Sequence, residues 1–226
     1  MLLNALKTVS ITMKTEEAID LPKQTFIDIM LEHDRPQVYA KVKKHQMYES
    51  DLFANPGVTF TRLREFASGY IGAYRNLSNH KAIALKEFLE SNDKNVSIFY
   101  NFHAELDDIT LVANELGIKL FVVKGGLSEY EAFKEYKGNQ RKIIAINYGS
   151  GAEGLNLQEL DTQIYYSPCI PFIKYEQSLA RIHRIGQTKP VFYYRYITKN
   201  TIEERIYQSL AKGEDYNERL FMKEEY

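Results

Sequence analysis

The sequence predicts an α/β domain built in three layers around a mostly parallel sheet, with an N-terminal, mainly helical appendage. From about residue 79 the chain alternates short apolar runs with segments of helical period. The runs are continuously apolar, as in parallel strands covered on both faces, and right-handed crossovers between them give the layers. Residues 1–78 lack that alternation, which sets the appendage apart.

In chain order, Thr25 to Leu31 reads as a strand or an extended arm. Asp34 to Gln37, with Pro36 in the first turn, starts a helix expected to reach about Glu49; the stretch carries Arg35, and Lys41, Lys43 and Lys44 are expected on a solvated face, with contact to flanking duplex as the alternative. A second helix covers Thr61 to Ser68, after the Asn55-Pro56-Gly57 turn. Val96 to Tyr100 opens the main domain as a buried strand. Leu106, Ile109, Ala113 and Leu116 mark a helix that Gly117 stops. Leu120 to Val123 is the next strand, and Ser128 with Glu131 forms a capping box for a short helix bearing Phe133 and Tyr136. Ile143 to Ile146 and Gln163 to Tyr166 are further strands. An arginine-bearing helix follows Pro171, and Val191 opens a fifth strand that extends toward Ile197. Thr201 and Glu204 cap a last helix with Ile202, Ile206 and Leu210 on one face and Gly213 at its end. The expected division is 1–78, 79–213 and a charged tail at 214–226.

A chain of 226 residues is long enough for a substantial core. Its 29 basic and 30 acidic residues nearly cancel, so any nucleic-acid surface must be local. Cys169 is the only cysteine, which excludes an internal disulfide and fits a reducing compartment. Neither a signal peptide nor an apolar run of membrane-spanning length is found. A soluble, cytoplasmic protein is expected, nuclear if eukaryotic, with no membrane partner. The five histidines have no ligand spacing, and no metal site is expected.

The segment Tyr175 to Gln187 carries the strongest chemical signal. On a helix Gln177, Arg181 and Arg184 stand at i, i+4 and i+7 and share one face. Tyr175, Leu179 and Ile182 have the same spacing offset by two residues, a rotation of about 200°. The segment is expected to bury one face and to present two guanidiniums and an amide on the other. Arginine's rigid, permanently charged fork matches phosphate oxygens, so the display suits a polyphosphate held between two bodies. Gly149, Gly151 and Gly154 match a dinucleotide fingerprint in spacing, yet only Leu155 to Asp161 separate them from the next strand. That leaves no room for the helix that such a fingerprint requires.

Taken together, these segments resemble the second RecA-like lobe of a superfamily 2 helicase-type motor, closest to the Swi/Snf-type DNA translocases of chromatin remodellers and their bacterial and phage relatives. Asp20 to Lys23 resembles the segment that leads into that lobe, and Thr61 to Gly69 its following helix. Val96 to Phe102 is similar to motif IV and Gly151 to Gln158 to motif V. Glu176 to Gln187 is similar to motif VI, including its Arg-Ile-His-Arg-Ile-Gly-Gln signature, and Thr201 to Ile206 to the helix after it. The resemblance implies half of an ATP site. Arg181 and Arg184 would reach the γ-phosphate as arginine fingers, Gln177 would help hold it and its attacking water, and Gly154, Glu153 and Asn156 would lie beside the nucleotide. An N-terminal RecA-like lobe, in cis or in trans, would supply the phosphate loop and hold Mg2+. No phosphate-loop sequence or acidic box is found here, so the chain alone is expected to hydrolyse no ATP. It is expected to be either an excised segment of a longer protein or a naturally split subunit, and Met1 fits both.

The resemblance also implies a grip on the phosphates of DNA, expected to be duplex, through loops at strand ends. Here these are Asn101 to His103, Lys124-Gly125-Gly126 and Asn147 to Ser150, with Asn101, His103, Lys124, Gly125, Gly126, Tyr148, Gly149 and Ser150 as the contact residues. Lys124-Gly125-Gly126 departs from the usual run of that loop, and Tyr148 replaces the usual Thr or Ser. The contrasting expectation is a non-catalytic DNA-binding or regulatory module that keeps the lobe's shape.

Overall fold

The computed structural model describes residues 21–149 and 154–225. Asp20, Ser150 and Glu153, all singled out above, lie outside the described residues. The elements run β1 (Gln24–Leu31), α1 (Pro36–His45), β2 (Met47–Tyr48), β3 (Asp51–Leu52), α2 (Pro56–Ala67), α3 (His80–Glu90), β4 (Val96–Tyr100) and α4 (His103–Glu115). They continue with β5 (Lys119–Lys124), β6 (Leu127–Ser128), α5 (Tyr130–Glu135), β7 (Lys142–Asn147), β8 (Thr162–Tyr165), α6 (Phe172–Leu179), β9 (Val191–Thr198), α7 (Ile202–Ala211) and α8 (Glu218–Glu225).

Among the described residues, the main sheet has seven strands in the order β1-β9-β8-β4-β7-β5-β6, all parallel except β6. The apolar runs behave as strands covered on both faces should. Val96, Ile98 and Tyr100 of β4 pack with Leu85 and Leu89 of α3 and Ile109 of α4 on one face. Phe99 joins Phe66 of α2, Phe133 of α5, Tyr175 of α6 and Ile206 of α7 on the other. Ser97, on that second face, is buried at no cost in lost bonding, because its hydroxyl donates to Gln163 on the neighbouring strand at 3.1 Å. The architecture is therefore a three-layer, RecA-like α/β domain.

Several local expectations are corrected. Of the two alternatives for Thr25 to Leu31, the strand holds: β1 runs parallel to β9, with Gln24 opposite Val191 and Leu31 opposite Thr198. Helix α1 starts after Arg35 without a side-chain cap, because the Asp34 carboxylate is engaged by the Ser78 hydroxyl at 2.8 Å, and it ends at His45. The capping box of Ser128 and Glu131 does not form. Ser128 pairs with Val123 in the short antiparallel β6, and Glu129, not Ser128, precedes α5. The Glu129 carboxylate accepts from Val122 N at 2.7 Å, which fixes the hairpin. Helix α3 has no counterpart among the expected elements. Thr201 caps α7 by accepting from Glu203 N, but Glu204 reaches back one residue further than a box requires, to Asn200 N. The tail is anchored by Phe221, which packs on Phe60 of α2 with ring centroids 5.6 Å apart.

Candidate functional site

Helix α6 is a crossover helix, so it runs opposite to the strands it covers. It starts beyond the carboxyl end of β8 and delivers its last turn to the amino edge of the sheet. The chemistry expected of this lobe is thereby split between the two edges. The loops after β4, β5 and β7 lie at the carboxyl edge, on three adjacent strands. The arginine segment lies at the amino edge.

The helical face expected of Gln177, Arg181 and Arg184 is also corrected. Helix α6 ends at Leu179, with Ala180 as its cap, and residues 181–186 form turns and bends. Tertiary bonds replace the helical ones. Arg181 O accepts from Leu157 N at 3.0 Å, and Arg181 Nη1 donates to Leu155 O at 3.3 Å. Gln187 Nε2 donates to the carbonyls of Gln158, Leu160 and Ile182 at 2.9–3.0 Å, while its Oε1 accepts from Thr188 N and Lys189 N. Gly186 holds φ +97°, a conformation that side-chain-bearing residues rarely adopt. His183 Nε2 lies 2.8 Å from Pro22 O, ahead of β1. The chain stretches of motifs V and VI are thus bonded into one unit around buried Ile182.

Of the three residues expected at the γ-phosphate, Gln177 and Arg184 are exposed, whereas Arg181 is half-buried against Leu155. Gly154 is exposed with φ +80°, and Asn156 is tied by its backbone N–H to the Tyr130 hydroxyl at 2.9 Å. An open cleft of about 540 Å³ adjoins the segment, lined by Leu21, Phe26, Leu179 and His183 among others.

The carboxyl edge is the more tightly built. Glu105, fully buried in the first turn of α4, accepts from Asn101 N (2.8 Å), Phe102 N (3.1 Å), Ser167 Oγ (2.9 Å) and Ser68 Oγ (2.6 Å). Lys81 Nζ donates to Ser68 Oγ, to Tyr166 O and to Glu203 Oε1 at 2.5 Å, and Glu203 Oε2 accepts from Thr198 N. Burial pushes the Glu203 carboxyl upward, and the Lys81 ammonium opposes that shift. Burial also lifts Asp108 to about 6, against the Tyr166 hydroxyl that donates to it. Sequence reasoning missed Lys81, Glu105, Ser167 and Glu203, because nothing in their spacing says that four distant segments meet.

Asn101 spends its amide on Ser167 Oγ (2.7 Å) and Pro168 O (2.9 Å), and its backbone carbonyl accepts from Asn147 Nδ2 at 2.8 Å. The Tyr148 ring is buried, its hydroxyl donates to Ser167 O, and burial raises its pKa well above the ordinary value. His103, Gly125, Gly126 and Gly149 are exposed, and Lys124 is half-buried. Gly125 and Gly126 form the tip of the β5–β6 hairpin. Cys169 is an inert buried thiol that burial pushes up to about 12.

Comparison with known proteins agrees with this architecture. Residues 80–186 match the helicase conserved C-terminal domain. The chain is 38% identical over 131 residues to an uncharacterized ATP-dependent helicase of Schizosaccharomyces pombe, covering 54% of this chain and 12% of that protein. It is 32% identical over 136 residues to the ATP-dependent helicase YqhH of Bacillus subtilis, covering 58% of this chain and 24% of that one. The chain therefore spans a quarter or less of these relatives. Among solved structures, the C-terminal part of the Fun30 ATPase domain superposes with a TM-score of 0.68 at 18% identity, covering 91% of this chain and 96% of that one. The Sulfolobus solfataricus SWI2/SNF2 ATPase core in complex with dsDNA gives 0.62 at 19% identity, covering 97% of this chain and 50% of that one.

Proposed function

We propose that this chain, whose residues 80–186 match the helicase conserved C-terminal domain, is the C-terminal RecA-like lobe of a Swi/Snf-type helicase and the second half of an ATP-dependent DNA translocase motor. The single observation that carries the reading is Arg184: an exposed guanidinium on a turn segment that Gln187 and Arg181 bond to the neighbouring chain. A first lobe docked at the amino edge would bring a Mg2+-bound triphosphate to that cation. The guanidinium then meets the charge that develops on the transferring phosphoryl group, an effect on the order of 10³–10⁵ in rate when an arginine is supplied from outside the nucleotide-holding body. Gln177, exposed on the last turns of α6, would orient the attacking water. Arg181 acts from a half-buried position and is expected to leave Leu155 O when the phosphate arrives.

At the carboxyl edge, His103, Lys124 and the amides of Gly125, Gly126 and Gly149 would contact duplex phosphates without reading sequence. Binding of that kind weakens steeply with salt. Asn101 and Tyr148 serve this edge from within, since their polar atoms are already bonded to the protein.

The test is reconstitution. The chain alone should hydrolyse no ATP, and adding the first lobe should give DNA-stimulated hydrolysis. Turnover by the purified chain alone refutes the shared site. A non-catalytic module has one observation in its favour, the Arg181 bond to Leu155 O, and it predicts that no first lobe restores activity.

A further inference from the structure

We propose that Ser167 is a positioning residue that couples nucleic-acid contact at the carboxyl edge to the arginine segment at the amino edge, with α6 as the connecting rod. The inference rests on the motor reading and adds to it the route between its two halves.

Two strand-end loops converge on this one residue, which itself lies in the loop after β8. The loop after β4 reaches it through Asn101 Nδ2, which donates to Ser167 Oγ at 2.7 Å. The loop after β7 reaches it through the Tyr148 hydroxyl, which donates to Ser167 O at 3.2 Å. Ser167 Oγ donates its own proton to Glu105 at 2.9 Å, the carboxylate that also holds Asn101 N and Phe102 N. Ser167 is 2% exposed, so its bonds to Glu105 and to the Tyr148 hydroxyl are shielded from water. A displacement of either partner loop must therefore move Ser167 or break a buried bond.

The chain beyond Ser167 is stiff. Pro168 and Pro171 have restricted φ, and Cys169 between them is fully buried. Helix α6 begins at Phe172, whose N–H donates to the Asp215 carboxylate. Its eight residues carry any shift over roughly 12 Å to Ala180, at 1.5 Å per residue. Beyond it stands the segment 181–187, held by bonds to loop carbonyls rather than by helix. A packed path of this kind joins two sites only if the far element has a second arrangement to adopt. The turn segment, with exposed Arg184 and Gly186 at positive φ, is the element suited to that.

The test uses this chain by itself with a short duplex DNA at saturating concentration, and reads amide hydrogen exchange at residues 177–186. In the natural sequence, DNA should change exchange there by at least about fivefold, the lower end of ordinary inter-site coupling. Ser167→Ala should still bind the duplex, yet lose that remote response. Ser167→Thr, which keeps the hydroxyl, should restore it. Tyr148→Phe removes the other tie without changing ring shape, and should reduce the response even if Ser167→Ala does not fold. If the natural chain binds DNA while residues 177–186 do not respond, the coupling is overturned and the motor reading stands. A full response in Ser167→Ala or Tyr148→Phe equally overturns it. If the natural chain does not bind duplex DNA at all, both readings fall.

Discussion

The two edges of the sheet are built in opposite ways. At the carboxyl edge, Lys81, Glu105, Ser167 and Glu203 are at most 2% exposed, and their bonds close on one another and on the ends of β4, β8 and β9. At the amino edge, Arg184 and Ile185 face solvent on turns, held from one side by Gln187 and His183. The difference teaches where each kind of rigidity is needed. In the motor proposed above, a surface that tracks a uniform phosphate backbone gains from donors fixed in advance, whereas a cation that completes another body's site must remain reachable until that body docks. The buried network contributes shape at the first edge, and exposure contributes reactivity at the second.

The contrast is sharpest in Arg184→Ala. Hydrolysis by the reconstituted motor should fall by on the order of 10³ or more. Stability to urea should change by no more than about 0.5 kcal/mol, as at other exposed positions. Loss of both together would erase the distinction between the edges. Lys81→Met should behave in the opposite sense. It leaves the Glu203 carboxylate buried without its cation, a defect worth about 3–5 kcal/mol. Urea unfolding reads this directly, and a cost below about 1 kcal/mol would show that the network is not what holds the edge.

Acid should also attack the carboxyl side first. Burial lowers His80 to about 3 and His33 to about 4, both from 6.5, so both are neutral in the fold. His80 lies between Ser78 Oγ, Ala67 O and Thr198 Oγ1, while His33 stacks on Phe66. As pH falls below about 6.5 the unfolded chain takes up protons that the folded chain refuses. The contribution is complete above that pH and is lost progressively as pH falls toward about 3–4. A urea midpoint that stays level from pH 7 to 4 in the natural sequence would remove this expectation. The smallest effect is assigned to Gln187→Ala, about 1–2 kcal/mol from its lost bonds. Faster amide exchange confined to residues 180–186 is its expected signature. Exchange that instead rises across β4 and β8 would place Gln187 in the core rather than at the edge.

Much of the fold is legible in the residues alone. The apolar runs at Val96, Leu120, Ile143, Gln163 and Val191 are β4, β5, β7, β8 and β9, because a parallel strand buried on both faces has no alternative composition. Helix α3 escapes the sequence pattern although Leu85 and Leu89 stand one turn apart, since Lys81 and His80 make its start look polar. Both are buried, and only their partners from residues far along the chain make that tolerable. The motif VI stretch departs from the helical conformation expected of it. Helical spacing places Gln177, Arg181 and Arg184 on one face, but Gln187 offers its amide to Gln158 and Leu160, and those bonds favour turns over another helical turn.

The sequence by itself determined which segments are the central strands and which residues carry the resemblance to motifs IV to VI, because these depend on local period and residue type. Tertiary structure alone decided that the arginines and the loops after β4, β5 and β7 stand on opposite edges, and that Ser167 lies between them. Those facts arise from chain reversal along α6 and from buried bonds between residues dozens of positions apart, and no local pattern encodes either.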